Sequence, residues 1–83
     1  MQIDKILLLQ EAGDIAQATI FPVPERPGKW QILLRRNNGN ECLVTARRNN
    51  VRHFASTDSA IKLLGELGIC SATVSWSEGY NHG

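Results

Sequence analysis

The chain has 83 residues and a formal net charge of +1, which leaves room for one domain and excludes binding to a polyanion through overall charge alone. Apolar residues make up 42% and charged residues 20%, a globular balance that excludes a disordered chain. Met1-Gln2-Ile3-Asp4-Lys5 lacks a basic leader and no run approaches the roughly 20 apolar residues of a membrane span, so the expectation is a cytoplasmic protein with reduced thiols and no membrane contact.

Residues 2–11 place Ile3, Ile6, Leu7 and Gln10 on one helical stripe, with Gly13 positioned to end a short N-terminal helix; a short strand is the competing reading. Leu8 and Leu9 add apolar surface on other sides, which favours burial against more than one partner. Residues 15–23 read as a strand with Ile15, Thr19, Phe21 and Val23 alternating onto one face. Pro22 cannot donate to a ladder, so this is an edge strand or one that stops there. Residues 24–28, PERPG, form a loop.

Residues 29–54, KWQILLRRNNGNECLVTARRNNVRHF, are the centre of the chain. Asn38-Gly39 is a strong signal for a two-residue hairpin turn, because both central residues of a type I′ turn need positive φ. That register pairs Arg36 with Glu41, Leu34 with Leu43, Ile32 with Thr45 and Trp30 with Arg47. Asn49-Asn50 reads as a second tight turn, pairing Arg47 with Arg52 and Thr45 with Phe54. Together the two turns set Trp30, Arg47 and Arg52 in one row across the sheet, with Leu33, Arg35, Cys42, Val44, Ala46 and His53 on the opposite face.

Ser56-Thr57-Asp58 opens a helix, Ala60, Leu63, Leu64 and Leu67 give it a stripe at i, i+3, i+4 and i+7, and Gly68 closes it. Gly65 inside that helix suggests close packing. Residues 69–76 read as a last strand with Cys70, Ala72, Val74 and Trp76 on one face, and SEGYNHG as a flexible tail, so the domain spans residues 1–76. The expected fold is α+β: an antiparallel sheet of four to five strands, one helix packed on it and a short N-terminal helix. Cys42 and Cys70 read as small buried apolar residues.

Five of the nine basic residues lie between Arg35 and Arg52, with Lys29 just before them. Like charges opposite each other on a sheet repel, so an Arg47–Arg52 pair points to an anion held there. Trp30 in the same row offers a face for base stacking. Lys29, Trp30, Arg35, Arg47, Arg48 and Arg52 are therefore the candidate nucleic-acid-binding residues. No glycine-rich phosphate loop, catalytic triad or compact zinc spacing is present, so no enzyme, metal or cofactor is expected. One helix covers one sheet face, and the other is to be covered by the N-terminal segment or by a second copy of the chain in a homodimer. The alternative is a protein–protein interaction module whose arginines are surface.

The strand, strand, strand, helix order of residues 29–68 is similar to PC4-like single-stranded-DNA-binding folds, in which a curved sheet holds the strand and the helix dimerises. The run Arg52, Phe54, Ser56, Asp58, Ala60, followed by Leu67, Gly68 and Ile69, resembles short accessory proteins of plasmids and integrative elements. The resemblance implies a small non-enzymatic accessory protein that binds single-stranded DNA through its sheet.

Overall fold

A computed structural model describes residues 1–46 and 50–76; the expected turn residues Arg47, Arg48 and Asn49 and the tail 77–83 lie outside them. The elements are α1 (Ile3–Glu11), β1 (Ile15–Pro22), β2 (Trp30–Arg36), β3 (Glu41–Leu43), α2 (Thr57–Glu66) and β4 (Thr73–Val74). The strands form one sheet in the order β3-β2-β1-β4. The α+β class holds, and the N-terminal element is a helix rather than a strand.

The sheet is mixed, not purely antiparallel. β1 and β3 run antiparallel to β2, whereas β4 runs parallel to β1. The cause lies in what precedes α2. Phe54 pairs antiparallel with Trp30, so the chain enters α2 in the direction of β1. A helix then returns the chain, and the strand after it must run parallel to β1. β1 is consequently interior rather than an edge. Pro22 is its last residue, opposite Trp30, where a missing N–H costs the ladder least.

The first hairpin differs from expectation by one residue. Leu33 pairs with Leu43, Leu34 with Cys42 and Arg35 with Glu41. The loop has three residues, Asn37, Asn38 and Gly39. The Gly39 N–H donates to Arg36 O at 2.9 Å, Arg36 N–H donates to Asn40 O at 2.8 Å, and Gly39 sits at φ 90°. A tight turn closed by a left-handed glycine is the usual three-residue alternative to the two-residue turn. Side chains on a strand alternate, so the slip moves the whole of β3 to the other face. Leu43 leaves the core side, and Cys42 joins it as a half-buried residue.

The second hairpin is also displaced. Thr45 pairs with Val51, and Arg52 N–H donates to Val44 O. Arg52 therefore lies opposite Val44, not Arg47. After Val44 the chain peels away from β2, and Phe54 takes the place beside Trp30 through two backbone hydrogen bonds of 2.7 and 2.8 Å. The outer edge of β3 is closed by Met1, whose nitrogen donates to Leu43 O and whose carbonyl accepts from Thr45 N–H.

The core lies on one face only. Ala18 and Ile20 of β1, Ile32 and Leu34 of β2, Val44 and Phe54 face Ile6 of α1 and Ala60, Leu63, Leu64 and Leu67 of the second helical segment. The expected inward face of β1 is thus reversed: Ala18 and Ile20 point in, while Thr19 and Phe21 point the other way. α2 follows its sequence closely. Ser56 accepts from Ser59 N–H at 3.1 Å and Ser59 Oγ accepts from Ser56 N–H at 3.4 Å, a capping box. Gly68 and Ile69 donate back to Gly65 O and Leu64 O with Gly68 at φ 84°, which closes the helix as a Schellman motif.

The expected strand at 69–76 shrinks to Thr73–Val74, because residues 69–72 leave that turn without ladder partners of their own. Val74 packs on the core, but Cys70 and Ala72 are exposed and Trp76 is 64% exposed, so the shared inward face does not form. Cys70 is therefore not a buried apolar residue. Gly65 marks no close contact either, since a Cβ there would meet nothing within 4 Å.

Candidate interaction surface

Alternation along the paired strands fixes what the second sheet face carries. Across it run three rows: Phe21 beside Gln31; Thr73, Thr19, Leu33 and Leu43; and Gln17, Arg35 and Glu41. None of these side chains belongs to the core beneath the helices. Phe21, Leu33 and Leu43 are half-buried there, and Gln31 beside them is buried, with its Nε2 donating to Pro22 O at 3.4 Å. The result is an apolar centre, bounded on one side by a polar row of opposite charges.

Within that row the charges are not joined to each other. The Arg35 guanidinium donates to Gln17 Oε1, across β1. Glu41, its cross-strand neighbour, makes no ion pair among the described residues. One strand away from Arg35 there is thus a second, unneutralised charge of opposite sign.

Of the expected row Trp30, Arg47 and Arg52, the described part differs: Trp30 shares its row with Phe54 and not with Arg52. Trp30 lies on the helix side, half-buried against the core, and Arg35 on the opposite face, as expected. Lys29 is exposed in the loop before β2. Lys29 and Arg35 sit near opposite ends of β2, about 20 Å apart at the strand rise. Arg52 is half-buried with its guanidinium carbon 5.2 Å from the centroid of the Phe54 ring, a cation–π contact. Arg47 and Arg48 are outside the described residues. The register shift parts Trp30 from Arg52 along the sheet: Phe54, not Arg52, pairs with Trp30, and Arg52 lies opposite Val44.

Two residues that carry structure escaped the sequence reading. Arg36, expected to pair with Glu41, instead reaches Asp14, its Nε and Nη2 lying 2.8 and 2.6 Å from Oδ2. Asn37 N–H donates to Oδ1 at 3.1 Å, and Asn37 Nδ2 donates to Gly13 O at 2.8 Å. The Arg36 hydrogen bonds above all, and then the Asn37 N–H, hold the Asp14 carboxyl below its ordinary value of 3.8. The α1–β1 turn and the β2–β3 loop are clamped together. The second is Thr45, whose buried Oγ1 has no hydrogen-bond partner among the described residues.

Among the described residues no three His, Cys, Asp or Glu side chains converge on a point that suits a metal, and no helix is long and apolar enough to cross a membrane. Comparison with protein-family models, with curated proteins and with solved structures gave no match.

Proposed function

We propose that this chain is a non-enzymatic protein–protein interaction module and that its working surface is the uncovered sheet face. One observation carries the reading: Phe21, Leu33 and Leu43 stand together on the side of the sheet opposite both helices. Adjacent apolar side chains on an open sheet are a common mark of a protein contact. The basic residues support it by their dispersal, since Arg36 is engaged by Asp14, Arg52 by Phe54, and Trp30 by the core. A phosphate backbone needs several cations along one track.

A photo-crosslinking residue in place of Leu33, with Lys62 on the exposed side of α2 as the control position, tests the reading in cells. Polypeptide adducts at position 33 that are missing at position 62 are the expected result. No adduct above the control, or adducts with nucleic acid only, overturns it. The second reading, nucleic-acid binding, rests on Arg35 standing on the same open face. It requires that labelled single-stranded or duplex DNA bind with a steep loss of affinity on adding salt, and that Arg35→Ala weaken that binding.

A further inference from the structure

We infer that the occupant of the open sheet face is a second copy of the same chain, packed about a two-fold axis that lies parallel to the strands and midway between β2 and β3. This rests on the reading of that face as a protein-binding surface and names the partner.

An isologous interface must be its own complement, so each feature needs its match at the position the axis generates. A two-fold axis of this orientation lays each β2 residue over the β3 residue of the same row in the other copy. Leu33 and Leu43 share one row, and Arg35 and Glu41 share the next. Leu33 then meets Leu43 of the other copy and Arg35 meets Glu41 of the other copy, and the symmetry makes each contact twice. Facing sheets pack about 10 Å apart, within reach of an extended arginine and a glutamate pointing toward each other.

The state of these residues in the single chain fits that use. Arg35 and Glu41 are both exposed and stand on neighbouring strands. Arg35 turns to Gln17, a neutral partner, and Glu41 has no ion pair among the described residues, so both charges stay available.

Sedimentation equilibrium on the full chain and on Arg35→Glu and Glu41→Arg tests the inference. The wild-type chain is expected to dimerise. Each reversal alone sets like charges together twice per dimer and is expected to weaken association by about tenfold or more. An equimolar mixture of the two variants restores both ion pairs in a heterodimer, so association returns to near the wild-type level. That recovery also shows that both variants fold. Three results overturn the inference: a wild-type chain that stays monomeric at every concentration, single reversals that dimerise as the wild type does, or a mixture no tighter than its components. If the chain is monomeric but position 33 still crosslinks to another polypeptide, the self-association falls and the interaction-module reading stands.

Discussion

Asp14 and Arg36 join the two loops at one end of the sheet, with both Arg36 nitrogens on the same carboxylate oxygen and the Asn37 N–H on the other. The pair is partly shielded, with side chains 22% and 31% exposed. It sits next to the three-residue loop whose length decides the β2–β3 register. The carboxylate thus favours the observed hairpin over the two-residue alternative, in which Arg36 would face Glu41.

This pair gives the fold a pH dependence with a definite sign. The folded-state pKa of Asp14 is lowered, so its contribution is present above the ordinary value of 3.8 and is lost as pH falls through the lowered value. Wild type is expected to have a higher urea midpoint than Asp14→Asn at pH 6. The gap should close progressively below about pH 4. A gap that is constant from pH 6 to about pH 2 contradicts the role given to the carboxylate.

Leu33 and Leu34 are identical in type and adjacent, yet point to opposite faces. Leu34 is fully buried under the helices and Leu33 is half-buried on the other face. Leu34→Ala should cost about 2–5 kcal/mol through lost transfer energy and a cavity. Leu33→Ala should cost less, about 1–2 kcal/mol of monomer stability, since Leu33 is only partly buried and lies outside the core under the helices. Chemical denaturation of the two variants below the concentration of self-association reads the difference, and equal costs would place the core on both faces.

Two glycines three positions apart should respond to alanine with opposite signs. Gly65 lies in the interior of α2 with open space where a Cβ would go, so Gly65→Ala should stabilise by about 0.5–1 kcal/mol. Gly68 has φ 84°, and its Cβ would meet only the Gln10 side chain at an ordinary 3.7 Å. The cost of Gly68→Ala is therefore conformational, about 1–2 kcal/mol. Thermal melts of both variants supply the check.

Thr45 places a buried hydroxyl, with no partner among the described residues, beside the core. Valine has nearly the same shape and no oxygen to satisfy, and a strand position suits it. Thr45→Val should raise stability by about 1 kcal/mol, the low end of the cost of an unmet buried hydrogen bond. A destabilised variant would mean that the hydroxyl does find a partner in solution.

Local patterns were legible wherever the physics is local. The i, i+3, i+4, i+7 stripe of Ala60, Leu63, Leu64 and Leu67, the Ser56 cap and the Gly68 stop together determined α2, since each acts within a turn or two of helix. The N-terminal helix and the stop of β1 at Pro22 follow from equally short-range causes. Asn38-Gly39 announced a hairpin but not its loop length, because the two- and three-residue forms both use a glycine at positive φ. What chose between them is the Asp14 clamp, which comes from a turn more than twenty residues earlier in the chain. That single-residue choice reversed β3, carried Leu43 to the open face and set Arg35 beside Glu41. The parallel placement of β4 was likewise decided by the pairing of Phe54 with Trp30, a contact between segments with no shared periodicity. The sequence by itself determined α2, the strands β1 and β2 and the place of the first turn; only the tertiary structure decided the extent of the last strand and which side of each strand faces the helices, because register depends on long-range partners while propensity does not.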